Sequence, residues 1–329
     1  MTTTYSAPSL LAGMAALAGR WDGPAPVSEP VVLAERADVL VVRVGDVVVK
    51  AHRPGMDPAA LRARLSLAAS PALRGIVLPP VLPAGGGPGV SVVDGRLVTV
   101  WPLGRPVEPA GPVPWEEAGR LLAALHRVPL PALDASAGLP RCGAAARLAR
   151  TMRELERVGS SPAVSEIRRA HATLPRWAWT PADPDWRGAE GGEAGLVLVH
   201  GDWHLGQLVR RADTGRPAGE PGWLLIDVDD LGLGTPSWDL GRIAAWQASG
   251  LLPPDVWERF LAAYRGSGGP AVSEGRDPWP AVDVAARAYT VQSAAVAVLR
   301  AGREGRAPDE VDSALVDACR RIADLHRSG

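Results

Sequence analysis

Residues 196–241 constrain this chain more than any other stretch. They read LVLVHGDWHLGQLVRR, then a polar turn, then WLLIDVDDLGLGTPSWDLG. An apolar run, Leu196 to Val199, leads into His200-Gly201-Asp202-Trp203-His204, and Gln207 follows shortly after. A second run, Trp223 to Ile226, delivers Asp227, with Asp229 and Asp230 behind it. Short Val, Leu and Ile runs bounded by turn residues read as buried strands. Two strand ends are thus predicted to carry His, Asp, Gln and Asp side chains into a small volume. Buried strands do not end in so many polar groups unless something polar is bound there.

Composition excludes several classes of ligand. The 329 residues suffice for two domains or two lobes with a substantial core. With 35 basic and 36 acidic residues, no global field favours nucleic acid or an anionic membrane, so neither is an expected partner. Two cysteines, Cys142 and Cys319, are too few for a disulfide framework and read as buried thiols. The apolar patch Leu10 to Ala18 lacks a preceding basic residue and is too short to span a bilayer. It reads as a surface-packed helix, and the chain as a soluble cytoplasmic protein. Lys50 is the single lysine among 35 basic residues. Genomic bias toward arginine explains the depletion; a site that wants a compact point charge would explain the one retained.

Three strands are predicted early, at Val31–Leu33, Val39–Val44 and Val47–Ala51, the last two joined by a Gly45-Asp46 hairpin turn. A helix follows over Asp57 to Ser70, capped by Asp57 with Pro58 in its first turn. Ile76–Leu82 and Arg96–Trp101 read as further strands. The Pro- and Gly-rich segment 102–114 reads as a linker, between an N-terminal lobe, 1–101, and a helical C-terminal lobe, 115–329. In the latter, helices are predicted over Trp115–Arg127, Cys142–Val158, Pro162–Thr173, Asp239–Ala248, Pro254–Tyr264, Trp279–Ala301 and Asp309–His326. The polar segment between Pro175 and Gly195 carries Trp177, Trp179 and Trp186 among acids and is either an exposed loop or a lid with indoles toward a substrate.

Two chemistries compete for the central stretch. In metal-assisted hydrolysis, His200, Asp202 and His204 would ligate a transition metal. The intervening glycines suggest a turn rather than the extended strand this needs, and no further His lies near in sequence. In Mg²⁺-dependent phosphoryl transfer, a carboxylate meets the acceptor hydroxyl, hard oxygens hold the metal and a cation meets the nucleotide phosphates. Asp202, the pair Gln207 and Asp227, and Lys50 supply these in turn.

The order and spacing of these motifs resemble the aminoglycoside phosphotransferase (choline-kinase-like) family of small-molecule kinases. That family carries His-Gly-Asp-x-His-x-x-Asn, then Ile-Asp and a hydrophobic residue, then Asp-Leu-Ala. This chain reads His200-Gly201-Asp202-Trp203-His204-Leu205-Gly206-Gln207, Ile226-Asp227-Val228 and Trp238-Asp239-Leu240-Gly241. The resemblance implies an α+β, bilobal, protein-kinase-like fold with a small antiparallel β lobe and a larger helical one. It implies Asp202 as the catalytic Asp toward the acceptor, Gln207 and Asp227 at Mg²⁺, and Lys50 at the phosphates of ATP or GTP. Asp239 would brace the catalytic loop, His200 would anchor it, and His204 would shape the loop or face substrate.

The chain departs from the family's commonest pattern in two places. Gln207 stands where Asn is usual, a variant similar to actinobacterial maltokinase-type sugar kinases. The predicted helix after Lys50 has no Glu, only Asp57 at its start and Arg62 and Arg64 within. Lys50 is therefore paired by Asp57, by a distant carboxylate, or by nothing. No glycine-rich phosphate loop is present in Ala34 to Asp38. Asp229 and Asp230 read equally as metal or acceptor-side ligands and as capping or solvated acids. The resulting expectation is a Mg²⁺-dependent kinase acting on a hydroxyl of an aminoglycoside, sugar or amino sugar; the alternative is a nucleotide-binding pseudokinase that regulates a partner.

Overall fold

The computed structural model describes residues 7–19, 29–36, 38–82, 89–108, 111–130, 138–180, 195–211 and 222–326. The chain forms two compact units, each discontinuous in sequence. The first comprises Met1–Gly111, Pro131–Pro140 and Gly206–Asp229; the second comprises Pro112–Leu130, Arg141–Leu205 and Asp230–Gly329. One is rich in antiparallel sheet and the other is mostly helical, so the fold class is α+β.

In the first unit, β1 (Val31–Arg36), β2 (Val39–Val44), β3 (Val47–Ala51), β4 (Val90–Val93) and β5 (Arg96–Pro102) form one sheet in the order β1-β2-β3-β5-β4. All neighbours are antiparallel. Because side chains alternate along a strand, one face collects Val42, Val44, Val47, Val49, Val98 and Val100. The helix α1 (Ala7–Ala18) lays Leu10, Met14 and Leu17 on that face. Each such fully buried aliphatic side chain is worth about 1.5–3 kcal/mol against exposure. Lys50, out of phase with this set, belongs to the other face and stands opposite Thr99 in the β3–β5 register. The helix α2 (Pro58–Ala69) begins as its sequence predicts, with the Asp57 carboxylate accepting from the Ala59 N–H at 2.9 Å.

The predicted strand at Ile76–Leu82 is not one. Val77 makes an isolated bridge to Leu225. Pro79 and Pro80, which lack the N–H a ladder requires, end it there. The strand β4 went unread although Asp94-Gly95, a two-residue hairpin dipeptide, joins it to β5. Both turn residues take positive φ, 48° and 72°. A second sheet of three strands, β6 (Gly104–Pro106), β8 (Leu208–Arg211) and β9 (Leu224–Leu225), has the order β6-β8-β9. One of its strands thus lies within the segment read as a linker.

The second unit contains α3 (Trp115–His126), α4 (Ala144–Glu156), α5 (Pro162–His171), α6 (Ser237–Ala248), α7 (Pro254–Gly266), α8 (Trp279–Glu304) and α9 (Glu310–Leu325). Each agrees with its predicted helix to within a few residues. The long helix α8 packs against α4, α5, α6 and α9, and α3 packs against α7. The amphipathic stripe of α3 buries Ala118, Leu121, Leu122 and Leu125. A short antiparallel pair, β7 (Val197–Val199) with β10 (Gly232–Gly234), is set among these helices. Cys142 and Cys319 are both buried free thiols. Among the described residues no helix is long and apolar enough to cross a membrane.

Candidate active site

Each unit carries one group of the residues singled out in the sequence. In the first unit, Lys50 leaves β3 on the face away from α1, and its side chain is buried. Its ammonium meets Asp227 Oδ1 at 2.6 Å and Asp229 Oδ2 at 2.9 Å. The partner of Lys50 is therefore distant in sequence, and Asp57 is engaged as a helix cap. Burial alone would lower the lysine's pKa, but Asp227 and then Asp229 hold it above its ordinary value. Asp227 takes a left-handed φ of 63°, a conformation that Asp tolerates better than most side chains. The amide Nε2 of buried Gln207 donates to Asp227 Oδ2 at 3.3 Å.

Asp229 is one of the acids, with Asp230, that sequence alone leaves undecided. Besides Lys50 it meets His52 Nδ1, 3.0 Å from Oδ1. Burial would raise the Asp229 carboxyl, but Lys50 and His52 outweigh it and hold the group well below the ordinary carboxylate range. Sequence reasoning did not reach His52, which lies one residue past β3; its one signal is the i, i+2 spacing from Lys50, which in extended chain puts two residues on the same side.

In the second unit, β7 ends at Val199, just before His200, and the next residues turn sharply. Gly201 has a φ of 82°, and a β-carbon there would fall 2.6 Å from the Asp230 carbonyl oxygen, so only glycine fits. Asp239, from the first turn of α6, is fully buried and gathers three donors. Its Oδ2 accepts from His200 N–H at 2.7 Å and its Oδ1 from Gly201 N–H at 2.8 Å. His126 Nε2 lies 3.0 Å from Oδ2. An ionised carboxylate only accepts, so this nitrogen carries a proton; in neutral His126, Nδ1 then accepts from the Tyr264 hydroxyl, 2.8 Å away. Burial raises the Asp239 carboxyl, yet these donors leave it below the ordinary value. The Gly201 carbonyl accepts from the Tyr289 hydroxyl at 2.9 Å and from Arg147 at 2.8 Å. The turn is thus fixed on both its N–H and C=O sides. His200 is buried, and its Nδ1 accepts from Asp202 N–H at 3.4 Å.

Asp202 is half-buried between two arginines that the sequence did not single out. Arg242 of α6 donates to Asp202 Oδ1, and Arg147 of α4 lies 3.4 Å from the same oxygen. Arg147 also pairs with Asp230, and Arg242 stacks over the Tyr289 ring with its guanidinium 4.7 Å from the centroid. Burial would raise the Asp202 carboxyl; Arg147 and Arg242, with His204 and His200 behind them, hold it below its ordinary value. Arg242 is one helical turn from Asp239 and was open to inference on that ground. Arg147 had no local signal.

Removing Arg242's charge therefore has a defined sign. In Arg242→Met the Asp202 carboxyl should titrate at higher pH than in the unaltered protein, as read from its ¹³C carboxyl resonance. Superimposable titrations would show that Arg242 does not govern this group.

Acids near the start of α9 make local structural contacts. Asp309 and Asp312 form the capping box of α9, and Glu304, Asp309 and Asp312 pair with Arg306. Trp177 packs edge-on to Trp238, and Trp179 lies against His171. Trp186 and its acidic neighbours Asp183, Asp185, Glu190 and Glu193 lie outside the described residues.

Comparison with known proteins bears on this arrangement. Residues 29–279 match the phosphotransferase enzyme family, APH. A comparison with curated proteins gives no match. Among solved structures, a microcompartment-associated aminopropanol kinase superposes with a TM-score of 0.60 at 19% identity, covering 95% of this chain and 97% of that one. A choline/ethanolamine kinase family protein from Mesorhizobium loti gives 0.53 at 17%, covering 97% and 93%. Aminoglycoside 2'-phosphotransferase-IIIa, solved as its GDP complex, gives 0.54 at 15%, covering 93% and 96%. At these identities the likeness establishes the fold, which is that of protein-kinase-like phosphotransferases.

Proposed function

The chain belongs to the phosphotransferase enzyme family of small-molecule kinases, and from that premise we propose that it moves the γ-phosphate of ATP or GTP to a hydroxyl of a sugar, amino sugar or aminoglycoside. The observation that carries this reading is the ion pair of Lys50 with Asp227, 2.6 Å apart in one unit although 177 residues apart in sequence. A cation for phosphate oxygens beside a carboxylate for a hard metal is the pairing that nucleotide chemistry requires.

The residues fit Mg²⁺. Asp227 offers carboxylate oxygens, and Gln207 lies against them with an amide whose oxygen is an equally hard donor. Mg²⁺ commonly takes one or two carboxylates and completes its shell with water and substrate phosphate. When bound, the metal would neutralise charge on the nucleotide phosphates. In this reading Lys50 holds the phosphates, and Asp202 accepts a hydrogen bond from the attacking hydroxyl and aims its oxygen. Asp239 and His200 keep the 200–202 turn rigid, so Asp202 is in place before substrate arrives. The arginine pair keeps Asp202 ionised and therefore a weak base. Its contribution is then orientation and charge complementarity more than early proton removal.

The test is a transfer screen. Protein with Mg²⁺ and either nucleotide is offered sugars, amino sugars, amino alcohols, macrolides and aminoglycosides, with ³¹P NMR locating the new phosphate ester. A phosphorylated acceptor supports the proposal. Nucleotide-dependent thermal stabilisation with no transfer to any acceptor would favour the pseudokinase alternative.

A further inference from the structure

Lys50 is the chain's single lysine, and the helix that follows it offers no glutamate, its interior charges being Arg62 and Arg64. Two carboxylates meet its ammonium instead, and their surroundings differ. Asp227 sits in left-handed backbone beside Gln207 and is assigned above to the metal. Asp229 is held from its far side by His52, which is fully buried. His52 Nε2 lies 2.8 Å from Thr99 Oγ1, and that same oxygen accepts from Trp101 Nε1–H at 2.8 Å. With one lone pair engaged by the indole, the Thr99 hydroxyl can give its proton to His52 Nε2, which leaves Nδ1–H to donate to Asp229. Thr99 is the register partner of Lys50 across β3 and β5. The contacts therefore close a ring from Lys50 to Asp229, to His52, to Thr99, and back to the strand that carries Lys50.

This ring fixes the Asp229 carboxylate without any help from Asp227. We propose that Asp229, oriented by His52, is the carboxylate that positions Lys50 for the nucleotide phosphates in place of a helix glutamate, an inference that rests on the functional reading above. Asp227 also meets the ammonium, at 2.6 Å, but in the reading above its oxygens would be shared with the metal. Asp229 and His52 are positioning residues: they act through Lys50.

The single lysine makes the test direct. Labelling with [ζ-¹⁵N]lysine gives one side-chain ammonium signal, read in nucleotide-free protein. Asp229→Asn and His52→Phe should each move that signal and speed its proton exchange, whereas Asp57→Asn, which preserves the α2 cap, should leave it in place. By calorimetry, Asp229→Asn should weaken Mg²⁺-nucleotide binding by about tenfold, on the order of one charge-assisted hydrogen bond lost. Should Asp229→Asn fail to fold, His52→Phe decides the question by the same two readouts. Unaltered protein that binds neither Mg²⁺-ATP nor Mg²⁺-GTP overturns the functional reading. Nucleotide binding by the unaltered protein, with signal and affinity unmoved in Asp229→Asn or in its substitute His52→Phe, overturns this inference alone.

Discussion

Replacing Asp202 with asparagine is expected to lower phosphate-transfer turnover by about two to four orders of magnitude, with Mg²⁺-nucleotide affinity close to that of the unaltered protein. The amide keeps the side chain's size, and its oxygen still accepts from Arg242, so the 200–202 turn should persist. What the amide loses is the charge that draws the acceptor hydroxyl and favours its proton's departure as the phosphorus–oxygen bond forms. A loose transition state leaves positioning and charge as the main levers of catalysis, so removing both at one atom is costly. Nucleotide affinity should hold because the proposed phosphate and metal contacts, Lys50, Gln207 and Asp227, belong to the other unit of the chain. The measurements are turnover with the best acceptor from the screen and nucleotide binding by calorimetry. Near-full turnover in Asp202→Asn would sink the assignment of Asp202 to the acceptor.

The fold was largely legible because it rests on periodicity. The alternation in Val39–Val44 and Val47–Ala51 and the stripe of α3 are properties of neighbours in sequence, and the structure reproduces them. The misread strand at Ile76–Leu82 shows the limit: apolar composition suggested a ladder that Pro79 and Pro80 cannot sustain, and Val77 keeps only a bridge to Leu225. The residues of the 200–207 motif were visible from their order, but their electrostatic partners were not. Arg147 reaches Asp202 from a different helix, and Asp229 and His52 meet across 177 residues. Such pairs are set by how elements pack, which no local pattern encodes. Lys50 illustrates both sides. Its strand was readable from alternation, whereas the choice between Asp57 and a distant carboxylate required the fold.

The largest expected effect on stability belongs to Asp239. Its carboxylate is fully buried and accepts from two backbone N–H groups and from His126. Asp239→Ala would strand all three donors out of reach of water. Each buried donor left unmatched costs about 1–3 kcal/mol, so the loss should reach several kcal/mol. Asparagine should rescue only part, because either orientation of its amide turns an NH₂ toward His200 N–H or Gly201 N–H and leaves that donor unmatched. The pH dependence follows from the lowered pKa of Asp239 in the folded state. A carboxyl depressed by folding stabilises fully above its unfolded pKa of about 3.9, and that stabilisation fades as pH falls through the lower folded value. Unaltered protein should therefore lose stability in acid partly through this group, and Asp239→Ala should lack that share. Urea unfolding of the unaltered protein and both variants, followed at neutral and acidic pH, measures both effects. Equal midpoints for Asp239→Ala and the unaltered protein at neutral pH would mean that the 200–201 turn is held by the Gly201 carbonyl's contacts with Tyr289 and Arg147 rather than by Asp239.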